Sequence, residues 1–200
     1  MTAHYILPNF DEASSSQIPA ILQLINMGYT YIPRHEVDAH RDGKNQYILR
    51  DIAHKAIRAI NPPEISDKSI DEALFALEKI KLDDGVVKAS EDVFSDLLGG
   101  RAVSEIIDGK RTSPQLKFID LKEPENNLFH VVAEFELEED QNRRPDIVLF
   151  VNGIPFAVIE NKKASVSVDE AVSQMIRNQK FLQTPKFFLF PQHYNLRFFL

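Results

Sequence analysis

Cysteine is absent from the 200 residues, so neither a disulfide nor a thiolate-held metal can form within them. No apolar run comes near the roughly 20 residues needed to span a bilayer. The first ten residues, MTAHYILPNF, lack a basic stretch followed by an apolar one and do not form a secretory signal. The cytoplasm is then the expected compartment by default. An excess of positive charge is also missing: the formal net charge is −7, which argues against a protein that simply coats DNA. The deficit is uneven. Residues 1–100 carry 10 basic and 16 acidic side chains, residues 101–200 carry 13 and 14. A nearly neutral half can face DNA if its basic side chains cluster, or if other subunits supply the phosphate contacts. Compositional bias is lacking as well, with 44% apolar and 26% charged residues, which fits an ordinary globular domain. No internal repeat or low-complexity linker is present.

What is there divides by period. The first half reads as helices. Ile18, Ile21, Leu22, Leu24 and Ile25 crowd a segment that ends at Gly28, a C-cap candidate. Leu49, Ile52, Ala53, Ala56, Ile57 and Ile60 follow helical spacing until Asn61-Pro62-Pro63 stops them. Ser69 with Glu72 has the form of a capping box ahead of Leu74, Leu77 and Ile80. Val93, Phe94, Leu97 and Leu98 make a shorter amphipathic piece closed by Gly99-Gly100. These stretches read as packing rather than chemistry. His35, Glu36 and His40 form a loop cluster without the spacing and fourth ligand of a zinc site.

The second half alternates. Residues 116–121 and 130–137 read as strands, residues 138–144 as a polar loop. Asp146 to Val151 is apolar on both faces beyond its aspartate, as in a buried central strand. Asn152-Gly153 signals a hairpin, and Ile154 to Glu160 returns as its partner. Ser167 with Glu170 opens a helix through about Leu182, and residues 187–190 and 196–200 read as closing strands. The chain stops inside that last apolar run, which suggests either a piece of a longer protein or a degenerate C-terminal end.

Chemistry concentrates around Asp146, Glu160 and Lys162. Phosphodiester hydrolysis needs acidic ligands for a divalent cation, and gains from a lysine near the attacking water or the developing charge. In a strand, Glu160 and Lys162 share a face while Asn161 points away, its carbonyl a further candidate ligand. Asp146 must then approach from the neighbouring strand. A strict two-residue turn at Asn152-Gly153 pairs Asp146 with Ile159 and sends Glu160 to the other face. A three-residue loop over 152–154 with a bulge beside Gly153, or an equivalent bulge elsewhere in the hairpin, pairs Asp146 with Glu160 instead. The catalytic reading requires one of the latter. The alternative is structural: Asp146 caps the loop and pairs with Arg143 or Arg144, and Glu160, Lys162 and Lys163 are a solvated strand end. Spacing alone leaves both open.

The wider wording, Arg144-Pro145-Asp146 through Gly153-Ile154-Pro155 and then Val158-Ile159-Glu160-Asn161-Lys162-Lys163, closely resembles the nuclease motif of type I restriction enzyme R subunits, members of the PD-(D/E)xK nucleases. The likeness extends from the segment between Ile18 and Tyr31, through Phe118-Ile119-Asp120 and Asn126 to Val131, to Gln174 to Gln179, and so covers most of residues 17–180. It implies an α/β restriction-endonuclease-like fold, a mixed sheet flanked by helices with a helical N-terminal elaboration. Residues 1–100 would be the mainly helical part of that domain and 101–200 the nuclease core, in a fragment of a longer motor-containing protein. It implies Mg2+ as cofactor (Mn2+ as a substitute) held by Asp146 and Glu160, with Lys162 as the catalytic lysine, and double-stranded DNA as substrate. The family carries a Gln-x-x-x-Tyr element. Gln174 matches its glutamine, but Asn178 stands at the tyrosine position, which puts a stacking or hydroxyl role there in doubt. Gln174, Arg177 and Asn178 are neighbours on a helix and, with Arg144 and Lys163, are candidates for DNA contact or accessory roles. Many relatives in the superfamily add a first-helix glutamate. Glu12 is the nearest acid and Gln17 sits nearer the helix, so the role has no firm holder. The resemblance further implies methyltransferase (M) and specificity (S) subunits as partners, and ATP-driven translocation. No Gly-x-x-x-x-Gly-Lys-[Ser/Thr] loop occurs in these residues, so ATP binding would belong to the rest of the protein. Two other readings stand beside this one: a catalytically inactive module docking a DNA motor onto a methyltransferase core, and a nuclease of another defence or repair system with the same fold.

Overall fold

A computed structural model describes residues 14–79, 86–136 and 145–159. Its centre is a four-stranded mixed sheet in the order β1-β6-β7-β8, with β1 spanning Thr30–Ile32, β6 Phe129–Ala133, β7 Ile147–Val151 and β8 Ile154–Ile159. Strand β1 runs parallel to β6, and β6, β7 and β8 form an antiparallel meander. The all-apolar β7 lies inside this sheet, as its sequence requires.

Helices cover both faces. Helix α1 (Ser14–Asn26) lays Ala20, Ile21 and Leu24 on Val131, Ala133 and Ile147. Gly28, at φ 101°, turns the chain from α1 into β1. The opposite face carries the larger core. There α2 (Arg50–Ile60) and α3 (Asp67–Glu78) bury Ala53, Ile57, Ile70, Leu74 and Leu77 together with Val132, Val148 and Phe150. A 3-10 helix over Arg34–His40 links β1 to this layer. Helix α4 (Val86–Gly99) leads into two small antiparallel ribbons, β2 (Arg101–Ala102) with β5 (Gln115–Leu116) and β3 (Glu105–Ile107) with β4 (Lys110–Thr112). Among the described residues no helix is long and apolar enough to cross a membrane.

Three expectations change. Helix α3 starts earlier than the Ser69–Glu72 pattern indicates: Ser66 is the N-cap, its hydroxyl accepting from the Ser69 amide at 3.2 Å. The reciprocal partner is Glu105, distant in sequence, whose carboxylate accepts from the Ser66 amide and hydroxyl at 2.8 and 2.9 Å. Of the strand expected over 116–121, only Leu116 is in one, the two-residue β5. Beyond it, three asparagines supply the bonds that a neighbouring strand would otherwise give. Asn61 closes both polar groups of Lys117, Asn127 those of Asp120, and Asn152 donates to Phe118 O. The strand expected over 130–137 ends at Ala133, because Glu134 adopts a left-handed φ of 50°. The helix opened by Ser167 and the closing strands lie outside the described residues.

Candidate active site

The β7–β8 hairpin determines what can meet Asp146. Its turn has two residues, Asn152 and Gly153, both at positive φ (50° and 71°), as a type I′ turn demands. The three-residue loop is therefore not used. Val151 pairs with Ile154 and Phe150 with Pro155, but Leu149 pairs with Ala157, which makes Phe156 the extra residue of a β-bulge. Beyond the bulge Val148 meets Val158 and Ile147 meets Ile159, the latter pair against the α1 side of the sheet. The odd residue is thus placed within the strand instead of at the turn.

Packing explains that choice. A Cβ on Gly153 would lie 2.6 Å from Leu49 O and 2.7 Å from Ala53 N, at the start of α2. The Gly153 carbonyl accepts from the Leu49 amide at 2.8 Å. Inside the turn, the fully buried Asn152 side chain accepts from Leu128 N and donates to Phe118 O and Asn127 Oδ1, all within 2.9 Å. A turn clamped in this way leaves no room for a third loop residue.

Asp146 immediately precedes β7 and is half-buried. Its main-chain carbonyl accepts from the Glu134 amide at 3.0 Å and from the side-chain amide of Gln17 on α1. Three elements therefore converge on this residue: α1, the end of β6 and the start of β7. Beside them, Arg34 pairs with Glu134 at 3.4 Å and with Glu136. The Tyr31 phenol is pushed up by burial and then by the nearby Glu134 charge. Arg41 lies 5.0 Å over the Phe135 ring, pairs with Asp38 and donates to Glu136 O, holding the segment after β6.

Of the expected site residues, Asp146 alone is described. Glu160, Lys162, Lys163, Arg144, Gln174, Arg177, Asn178 and Glu12 lie outside the described residues, as do Arg143 and Asn161. Among the described residues no group of three His, Asp or Glu side chains is arranged to hold a metal. In the His35, Glu36 and His40 cluster, His35 approaches Glu36 at 3.5 Å while His40 bonds Asp51 at 2.9 Å. Sequence reasoning missed the contact of Gln17 with Asp146, yet a signal for it exists. Gln17, Ala20, Ile21 and Leu24 share one helical stripe, so Gln17 is the one polar member of a buried face.

A mixed sheet covered by helices on both faces, with an aspartate entering its interior strand beside a bulged hairpin, defines an α/β fold of the restriction-endonuclease-like class. The chain belongs to the family described as "Type I restriction enzyme R protein N terminus", which matches residues 9–197. It is 26% identical over 176 residues to the putative type I restriction enzyme MjaVIIIP endonuclease subunit of Methanocaldococcus jannaschii, covering 84% of this chain and 16% of that protein. The type I restriction enzyme HindI endonuclease subunit of Haemophilus influenzae is 27% identical over 146 residues, 70% of this chain and 14% of its own length. A shorter match to the putative MjaVIIP endonuclease subunit of Methanocaldococcus jannaschii is 39% identical over 92 residues, 44% of this chain and 8% of that one. The chain thus spans less than a fifth of the length of these relatives.

Proposed function

We propose that this chain is the nuclease domain of a type I restriction enzyme R subunit, hydrolysing DNA phosphodiesters with Mg2+. The observation that carries the reading is the register of the bulged hairpin. Ile147 lies opposite Ile159, and one further step of the same register, if the strand went on beyond the described residues, would bring position 160 to Asp146. Without the bulge the same step would bring Ile159 to Asp146, and two carboxylates could not share an ion. The donor chemistry of Asp146 fits a hard cation, since carboxylate oxygens are the ligands Mg2+ prefers, and its half-buried position at a strand mouth limits competition from water.

In this reading Asp146 and Glu160 hold the metal. When bound, Mg2+ polarises the phosphoryl oxygen and lowers the pKa of the attacking water. Lys162, two residues beyond Glu160 and on its face in an extended strand, orients that water or neutralises charge growing on the phosphate. Gln174, Arg177 and Asn178, together with Arg144 and Lys163, are assigned to the DNA. The names of the relatives, all endonuclease subunits of type I restriction enzymes, support the assignment. The proposal extends to a cytoplasmic complex with M and S subunits, whose ATP-driven motor belongs to a part of the R subunit outside this domain.

Asp146→Ala and Lys162→Ala, each in the full-length protein with its partner subunits, ATP and Mg2+, should lower double-strand cleavage at least about a hundredfold. Circular dichroism should show both variants folded. Cleavage at the native rate by either folded variant refutes the site.

A further inference from the structure

We infer that Gln17 is a positioning residue for the metal-binding aspartate: its side-chain amide locks the Asp146 peptide in the orientation that presents the carboxylate to the ion. The inference rests on the proposed role of Asp146 as a metal ligand. A carbonyl oxygen has two lone pairs. Those of Asp146 accept from two donors of different origin, the Glu134 amide and the Gln17 side chain. With both in place the peptide joining Asp146 to Ile147 cannot rotate, and the direction of the Asp146 Cα–Cβ bond is set before any cation arrives. Both donors are themselves held. Gln17 is 8% exposed, on the stripe of α1 that packs Ala20, Ile21 and Leu24 against the sheet. Glu134 presents its amide from a left-handed backbone conformation, one a non-glycine residue adopts at some cost and only where its surroundings impose it.

The chemistry is specific to an amide. A glutamate at this position, when ionised, has no proton to give a carbonyl. A hydrophobe of the same length fills the space and leaves the Asp146 oxygen with a single donor. Residues that orient a metal ligand without touching the metal typically change its affinity by about 10–100-fold.

The test is Mn2+ affinity of the full-length protein, read by electron paramagnetic resonance in the absence of DNA and ATP. Gln17→Met, which keeps length and helix propensity, should bind Mn2+ about tenfold more weakly. Gln17→His, whose Nε2–H restores a donor at similar reach, should stay within about twofold of native. Should the methionine variant not fold, Gln17→Asn, too short to reach the carbonyl, should show the same loss. A purely structural role would lower the melting temperature and leave Mn2+ affinity alone. Native affinity in folded Gln17→Met, alongside lost affinity in Asp146→Ala, overturns the role of Gln17 and spares the site. Native affinity in Asp146→Ala overturns the site itself.

Discussion

Asn152 answers two demands at one position. Its backbone takes the left-handed conformation of a type I′ turn, which asparagine tolerates better than most residues. Its side chain, wholly buried, joins the turn to Phe118, Asn127 and Leu128. Asn152→Ala leaves one buried acceptor, Phe118 O, and one donor, the Leu128 amide, short of a partner, each at about 1–3 kcal/mol, while Asn127 Oδ1 keeps the Asp120 amide. We expect a loss of roughly 3 kcal/mol or more in urea unfolding, since the turn also loses a residue suited to its φ. His130 offers a different test. Its Nδ1 is buried without a hydrogen-bond partner among the described residues, and burial, then the proximity of His40, hold its pKa below the ordinary value. As pH falls below about 6.5, the unfolded chain takes up the proton before the folded one does, so stability drops until the lower, folded pKa is passed. The fall in melting temperature between pH 7.5 and 5.5 should be smaller in His130→Phe. An equal fall in both proteins would remove His130 from the account.

At the level of elements, the start of α3 shows where local patterns mislead. Ser69 and Glu72 have the spacing of a capping box, yet the box is closed from 39 residues away by Glu105 on β3. Hydrogen bonds from Ser69 and Ser66 keep the Glu105 carboxyl below the usual carboxylate range. Its contribution is therefore present above the unfolded pKa, near 4.3, and fades as pH drops through the folded one. Ser66→Ala should cost about 1 kcal/mol. Glu105→Gln should destabilise the native protein, and by less when Ser66 is already alanine, since the hydroxyl contact is then gone while the backbone amide at 66 still donates to position 105. Additive effects in that double-mutant cycle would show the contact to be idle. The strand misread at 116–121 has the same root. Its alternating apolar residues are real, but Asn61, Asn127 and Asn152 satisfy its backbone, and nothing in the local pattern announces Asn61 and Asn152, 56 and 34 residues away.

Across the whole molecule, periodicity identified what depends on nearest neighbours: α1, α2, α4, the interior position of β7 and the Asn152-Gly153 hairpin. Position within the hairpin ladder was not legible in that way. Whether the odd residue falls in the turn or in the strand depends on α2 closing over Gly153, a contact between segments a hundred residues apart. The sequence could state the requirement for an odd residue without saying where it would go. That residue, Phe156, gives the hairpin one unit of slack. Removing it leaves Leu149 opposite Ala157 in an unbroken ladder, so strand phase survives; an added residue has nowhere to be absorbed and reverses which side each later residue faces. Lineages of this fold should accordingly tolerate a codon lost from this stretch and reject a codon gained. With Asp146 as the proposed metal ligand, the full-length protein lacking Phe156 should bind Mn2+ as the native one does, whereas one alanine inserted after it should abolish binding, an asymmetry that a turn-borne odd residue would not produce.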